Sequence, residues 1–297
     1  MPAWDAEVEV DEALARSLIS AHFPALAAGS LRRVGEGWDN VVWATEDDVA
    51  FRFPRREIAI PGVEREIVLL PALAPRLPLA IPDAAFAGAP CERFRWPWFG
   101  SRLIAGREVA GAHLDDAARI ALAPRLGEFL RTLHDLDVGA ALPRDPMRRT
   151  DMAIRVPLTR KALAEVAPVW AAPARVEDLL AEAERLPVPE ASALVHGDLH
   201  VRHLLVDAAG TPAGVIDWGD VCRADPSLDL SLYWSLLPPA GRDAFVGAYG
   251  PVGEHGLLRA RVLAFFFGAT LATYARAEGM PELEREALDG LTRTLAG

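Results

Sequence analysis

Asp198 and Asp217 each close a short apolar run, and the two runs read as neighbouring strands of one hairpin. The first carboxylate lies in Leu194-Val195-His196-Gly197-Asp198-Leu199-His200-Val201-Arg202-His203, a tight polar loop that leaves through Leu204 to Val206. A turn over 207–212 leads into Gly214 to Ile216, which delivers Asp217, followed by Trp218 and Gly219. Two carboxylates on adjacent segments can divide a reaction between them. One can take a proton while the other holds a hard cation such as Mg2+, which prefers one or two carboxylates plus phosphate oxygens. The imidazoles of His196, His200 and His203 crowd the same loop and allow a second reading, a transition-metal cluster of a hydrolase. No further Asp and His group elsewhere in the chain completes a dinuclear site.

The elements that must position this loop follow from periodicity. Asp11 to His22 reads as an amphipathic helix. Leu31 to Val34, Val41 to Ala44 and Val49 to Phe53 read as an antiparallel meander whose first turn carries Gly35 and Gly37. Such a turn can lay its backbone N–H groups over phosphates, although a plain hairpin turn has the same pattern. Val63 to Leu73 is a helix candidate, Ile81 to Phe86 a strand candidate, and 94–106 runs from aromatic to apolar to glycine. Asp116 to His134 has helical spacing with Pro124 as an expected kink. Pro143 to Ala174 reads as irregular, and Val176 to Arg185 as a short helix. Beyond Asp229 four helices are expected, over 228–236, 240–249, 257–275 and 281–295. The run over 262–275 is apolar on nearly every side, too short to span a bilayer, and reads as a core helix.

Composition narrows the partners. A net charge of −11 argues against nucleic acid and anionic membranes, and residues 196–297 hold 13 acids against 8 bases. Cys91 and Cys222 are too few and too far apart for a disulfide framework, which fits a reducing cytoplasm. The first twelve residues carry five acids and no base, unlike a signal peptide. The chain has one lysine, Lys161, so no lysine can bind a nucleotide in the first 160 residues.

The motifs together resemble the aminoglycoside phosphotransferase family, antibiotic kinases with a protein-kinase-like fold. His196-Gly197-Asp198, Ile216-Asp217-Trp218 and Asp225-Pro226-Ser227-Leu228-Asp229-Leu230 follow in the family's order. His203 stands where the family usually has Asn, and the loop is most similar to the macrolide phosphotransferase branch. The resemblance implies an α+β, two-lobe fold: a small lobe of antiparallel sheet plus helix over 1–102, and a large, mainly helical lobe over 103–297. It implies Asp198 as the catalytic base, Asp217 at Mg2+ with His203 either beside it as a metal ligand or donating a hydrogen bond to phosphate, and His196 and Asp229 supporting the catalytic loop. It places nucleotide contacts at Gly35, Gly37, Arg52 braced by Glu66 (Glu64 as second choice), and the backbone of Arg102, Leu103 and Ile104. Arg52 replaces the family's lysine there, and a guanidinium can hold phosphate oxygens with a bidentate fork.

The implied reaction is transfer of a γ-phosphate from ATP or GTP to a hydroxyl of a small molecule, an aminoglycoside or macrolide antibiotic foremost. The expected protein is a monomer or weak dimer with no nucleic-acid or membrane partner. Kinases of non-antibiotic metabolites, and a nucleotide-binding pseudokinase motivated by Arg52 with His203, are the alternatives.

Overall fold

The structure is a computed structural model that describes residues 6–37, 39–139 and 142–296. The chain divides after Ala105 into two compact units.

In the first unit, helix α1 (Glu12–His22) starts at an Asp11 side chain that accepts from Leu14 N–H. Strands β1 (Leu31–Glu36), β2 (Asn40–Thr45), β3 (Val49–Pro54), β4 (Phe86–Gly88) and β5 (Trp98–Arg102) form one antiparallel sheet in the order β1-β2-β3-β5-β4. Helix α2 (Ile60–Leu73) follows β3. Alternation along β3 sends Phe51 and Phe53 inward, where they meet Trp98 with ring centroids 5.7 and 5.1 Å away. Trp98 and Phe99 are core residues. The strand expected over 81–86 forms later, at β4. Ala84 adopts a left-handed conformation (φ 46°), and its N–H donates to Ser101 Oγ rather than to a ladder, so pairing starts at Phe86.

The second unit contains a two-residue strand β6 (Arg107–Glu108), α3 (Asp116–Asp135), α4 (Met152–Val166) and α5 (Ala174–Ala183). Next come β7 (Ala193–Val195), β8 (Leu204–Val206), β9 (Pro212–Val215) and β10 (Cys222–Ala224), then α6 (Ser231–Ser235), α7 (Pro239–Tyr249), α8 (Glu254–Ala277) and α9 (Pro281–Leu295). Strands β6, β8 and β9 form one small antiparallel sheet, and β7 pairs with β10 in another.

The stretch expected to be irregular contains α4. Asp151 caps it by accepting from Ala153 N–H, and Met152, Val156, Leu163 and Val166 bury one stripe in a core shared with α8 and α9. Burial of that stripe outweighs the cost of Pro157 inside the helix. Helix α3 likewise continues through Pro124. Helix α8, at 24 residues, is longer than its apolar run and is the one described helix long and apolar enough to cross a membrane. Val262, Phe265, Ala269 and Ala272 on it are fully or almost fully buried in the same core, so it serves here as a packed central helix.

Candidate active site

The loop between β7 and β8 is built around a buried carboxylate. Asp229 Oδ2 accepts from His196 N–H at 2.7 Å and Oδ1 from Gly197 N–H at 2.9 Å. His134, at the end of α3, donates from Nε2 to Asp229 at 3.2 Å, and Tyr249 OH lies 2.9 Å from its other ring nitrogen. Burial alone would raise the Asp229 carboxyl. The His134 bond, the neighbouring histidines and the backbone N–H donors outweigh it and hold the group below the usual carboxylate range.

His196 locks the turn from inside. Its Nε2–H donates to Ile216 C=O at 3.0 Å and its Nδ1 accepts Asp198 N–H at 3.2 Å, which joins the two carboxylate-bearing segments through one ring. Trp218 is fully buried, packs edge-on against His196 at 4.8 Å, and donates its indole N–H to Val215 C=O. Gly197 has φ +90°, and a Cβ there would stand 2.4 Å from Asp220 C=O, so no other residue fits. Asp217 adopts φ +66°, a conformation uncommon for any residue with a Cβ and frequent where a side chain must be aimed for function.

The His203 ring lies between the two carboxylates. Nδ1–H donates to Asp198 C=O at 2.7 Å and is 3.7 Å from Asp198 Oδ2, while Nε2 is 3.4 Å from Asp217 Oδ2. The Nδ1 bond assigns the proton to that nitrogen, which leaves a lone pair on Nε2 facing a carboxylate oxygen. Burial pulls the His203 imidazole down to about 4, so it is neutral at physiological pH. Two acceptors facing each other at this distance repel unless a cation joins them, and the pair fits a divalent ion. Burial raises Asp198 to about 6, with Asp220 and Asp217 adding to the rise against His203 and His196. Its side chain keeps 31% exposure, enough to meet a ligand. His200 stacks on His203 with centroids 3.9 Å apart, and burial carries its imidazole down to about 3.

Among the residues picked out in the first unit, Arg52 pairs with Glu66 at 3.4 Å, and Glu66 is fully buried while Glu64 is exposed. Gly35 lies at a register shift of β1 against β2, and Gly37 N–H donates to Asn40 C=O. A Cβ on either glycine would meet only ordinary van der Waals contacts at 3.8 Å or more, so nothing within the chain itself demands glycine there. Trp38, in the same turn, lies outside the described residues. Leu103 N–H already donates to Asp48 C=O at 2.7 Å. One backbone donor of the three residues expected along a nucleobase is therefore already used.

Sequence reasoning missed three supports. Arg55 and Arg56 bind Glu36 and Asp39 at 2.7 and 2.8 Å and tie the glycine turn to the end of β3. Arg149, buried against Asp145, reaches Asp220 at 3.7 Å behind Gly197. His134, which the sequence places only at the end of a helix, bonds the loop's central carboxylate. No local signal marks the last two, and the chain alone does not reveal a partner such as that of His134, 95 residues away.

Comparison with known proteins agrees with the motif order. A family model described as the phosphotransferase enzyme family matches residues 30–265. The GDP complex of wild-type aminoglycoside 2'-phosphotransferase-IIIa superposes with a TM-score of 0.69 at 22% identity, over 96% of this chain and 98% of that one. Macrolide 2'-phosphotransferase MphH from Brachybacterium faecium gives 0.61 at 25% identity, over 93% and 97%. The uncharacterized protein YcbJ of Bacillus subtilis (strain 168) is 44% identical over 49 residues, so the match spans 16% of this chain and 16% of that relative. A match across most of the chain, on a kinase-like α+β fold with these motifs in sequence, places the protein in the phosphotransferase enzyme family.

Proposed function

We propose that this phosphotransferase moves the γ-phosphate of ATP or GTP to a hydroxyl of a small molecule, an aminoglycoside or macrolide antibiotic. The observation that carries the reading is the His203 ring held between Asp198 and Asp217, one nitrogen toward each. Solved structures of similar fold include a GDP and kanamycin complex of an aminoglycoside enzyme and the macrolide enzyme named above, which supports both acceptor classes.

Phosphoryl transfer asks the protein mainly for positioning and charge neutralisation. Asp198 accepts or orients the proton of the acceptor hydroxyl. A carboxyl poised at about 6 is ionised at neutral pH yet basic enough to share that proton. Asp217 and the Nε2 lone pair of His203 would hold Mg2+, which would supply charge neutralisation to the transferring phosphate. The same lone pair argues against His203 as a hydrogen-bond donor to phosphate. In the first unit Arg52, braced by Glu66, neutralises the α- and β-phosphates, and the Gly35–Gly37 turn allows close backbone approach. His196 and Asp229 position the loop and touch no reactant. A cytoplasmic setting supplies the nucleotide and the cation.

The test is mass spectrometry of a mixed panel of aminoglycosides and macrolides after incubation with the protein, Mg2+ and ATP or GTP, beside Asp198→Ala. One compound should gain a phosphate with wild type and not with the variant. Nucleotide binding with no product on any compound would turn the search to metabolites or to a sensor; no nucleotide binding would overturn the reading.

A further inference from the structure

The Nε2 face of His203 is used above; the Nδ1 face carries an arrangement that phosphoryl transfer does not need. His200 Nε2 lies 3.6 Å from Asp198 Oδ2, and His203 Nδ1 lies 3.7 Å from the same oxygen. One potential ligand atom from each of Asp198, His200 and His203 falls within 4.8 Å of the others. A tetrahedral Zn2+ with nitrogen and oxygen ligands at about 2.0–2.2 Å spaces those atoms roughly 3.4 Å apart, so small shifts close the set. Two imidazoles and one carboxylate suit zinc, nickel or copper and suit Mg2+ poorly. The two rings are 12% and 11% exposed and stacked in place, whereas Asp198 is 31% exposed, which keeps a fourth coordination position open.

We propose that Asp198, His200 and His203 form a second metal site, selective for Zn2+-like ions, whose occupation switches phosphoryl transfer off. Its inhibitory effect rests on Asp198 as the base; its existence does not.

The two faces of His203 exclude one another. Coordination through Nδ1 needs the lone pair of the nitrogen that now donates to Asp198 C=O. The ring proton moves to Nε2, where Asp217 Oδ2 at 3.4 Å accepts it. His200 gives up the 3.3 Å contact from Arg202 N–H to its Nδ1 and carries its proton there instead. Neither ring loses a proton overall, and Asp198 enters as carboxylate. In that state Asp198 Oδ2 is committed to the metal and the carboxylate charge is neutralised, which makes it a much weaker base for the acceptor hydroxyl, and His203 turns an N–H toward Asp217 instead of a ligand. Two hydrogen bonds are surrendered, so the site should bind zinc in the micromolar range, far weaker than a structural zinc site.

The experiment uses the full chain without nucleotide, titrated with Zn2+ and separately with Mg2+ against a chromophoric chelator, for wild type and His200→Gln. Wild type should take up one Zn2+ per chain, the variant should bind it at least tenfold more weakly, and Mg2+, which needs the other face of His203, should displace zinc only at far higher concentration. Thermal melting and Mg2+–ATP binding check that the variant is folded. X-ray absorption at the zinc edge of the wild type needs no variant and should count two imidazole nitrogens. Equal zinc affinity in both proteins, or fewer than two imidazoles, overturns the site. Zinc bound as described with turnover unchanged overturns the switch. Absence of both nucleotide binding and any phosphorylated acceptor in zinc-free buffer overturns the proposed function instead and leaves the metal titration readable.

Discussion

The loop between β7 and β8 in the second unit and the glycine turn of the first are held by opposite means. The loop hangs on Asp229, a fully buried carboxylate with two backbone N–H donors and His134, itself only 4% exposed. The turn is tied by Arg55–Glu36 and Arg56–Asp39, whose acidic partners are 38% and 44% exposed. Charge-assisted bonds in a dry interior are strong and costly to break, whereas solvent-exposed ion pairs contribute about 0–1 kcal/mol each. On the proposed reading, a base that meets a hydroxyl at hydrogen-bond distance needs the first kind of support, and a turn that accepts and releases a nucleotide is better served by the second.

The largest effect expected on the loop side comes from Asp198→Ala. Turnover should fall by ~10²–10⁴-fold with nucleotide affinity nearly unchanged, read by coupled assay and calorimetric titration. Should nucleotide affinity collapse as well, the division of labour between the two regions is wrong.

Asp229→Ala leaves two buried N–H groups and His134 without their acceptor, and should cost about 3–5 kcal/mol in denaturant unfolding. The same carboxyl sets a pH dependence. Its folded value lies below its unfolded value, so its stabilisation is complete above the ordinary carboxylate range and disappears as pH falls through the folded value. Wild type should therefore lose more stability than Asp229→Asn on acidification below that range.

Turnover has its own pH limb. As the proposed base, Asp198 must be a carboxylate, so kcat should drop about tenfold for each unit of pH below about 6. A limb near 4 would show that the raised value does not survive in the working complex.

Arg52→Lys keeps a cation beside Glu66 but removes the fork, and should raise KM for nucleotide by about tenfold or less with kcat little changed. The smallest change belongs to the turn: Arg56→Ala should alter stability by less than about 1 kcal/mol, an effect that salt erases. A salt-insensitive loss above that size would place the turn in the same class as the loop and remove the contrast.

Much of this molecule can be read from the chain. Periodicity and capping locate α1, the β1–β3 meander and the α9 helix, since each buries one face near in sequence. The order His196-Gly197-Asp198, Ile216-Asp217-Trp218 and Asp225 to Leu230 identifies the loop and its carboxylates, because residues within a few positions of a turn are bound to be neighbours. Helix α4 was hidden by Pro157, whose local penalty is overcome only by packing against α8 and α9. The same limit governs the site. Amino-acid types could place His203 near a metal but could not choose its tautomer, which the Asp198 carbonyl decides at 2.7 Å. Nor could they show that His134 and Asp229, 95 residues apart, share a hydrogen bond, or that Arg149 lies behind Gly197. Local chemistry is written in local spacing; long-range partners, burial and the resulting shifts in proton affinity exist only once the chain has closed on itself.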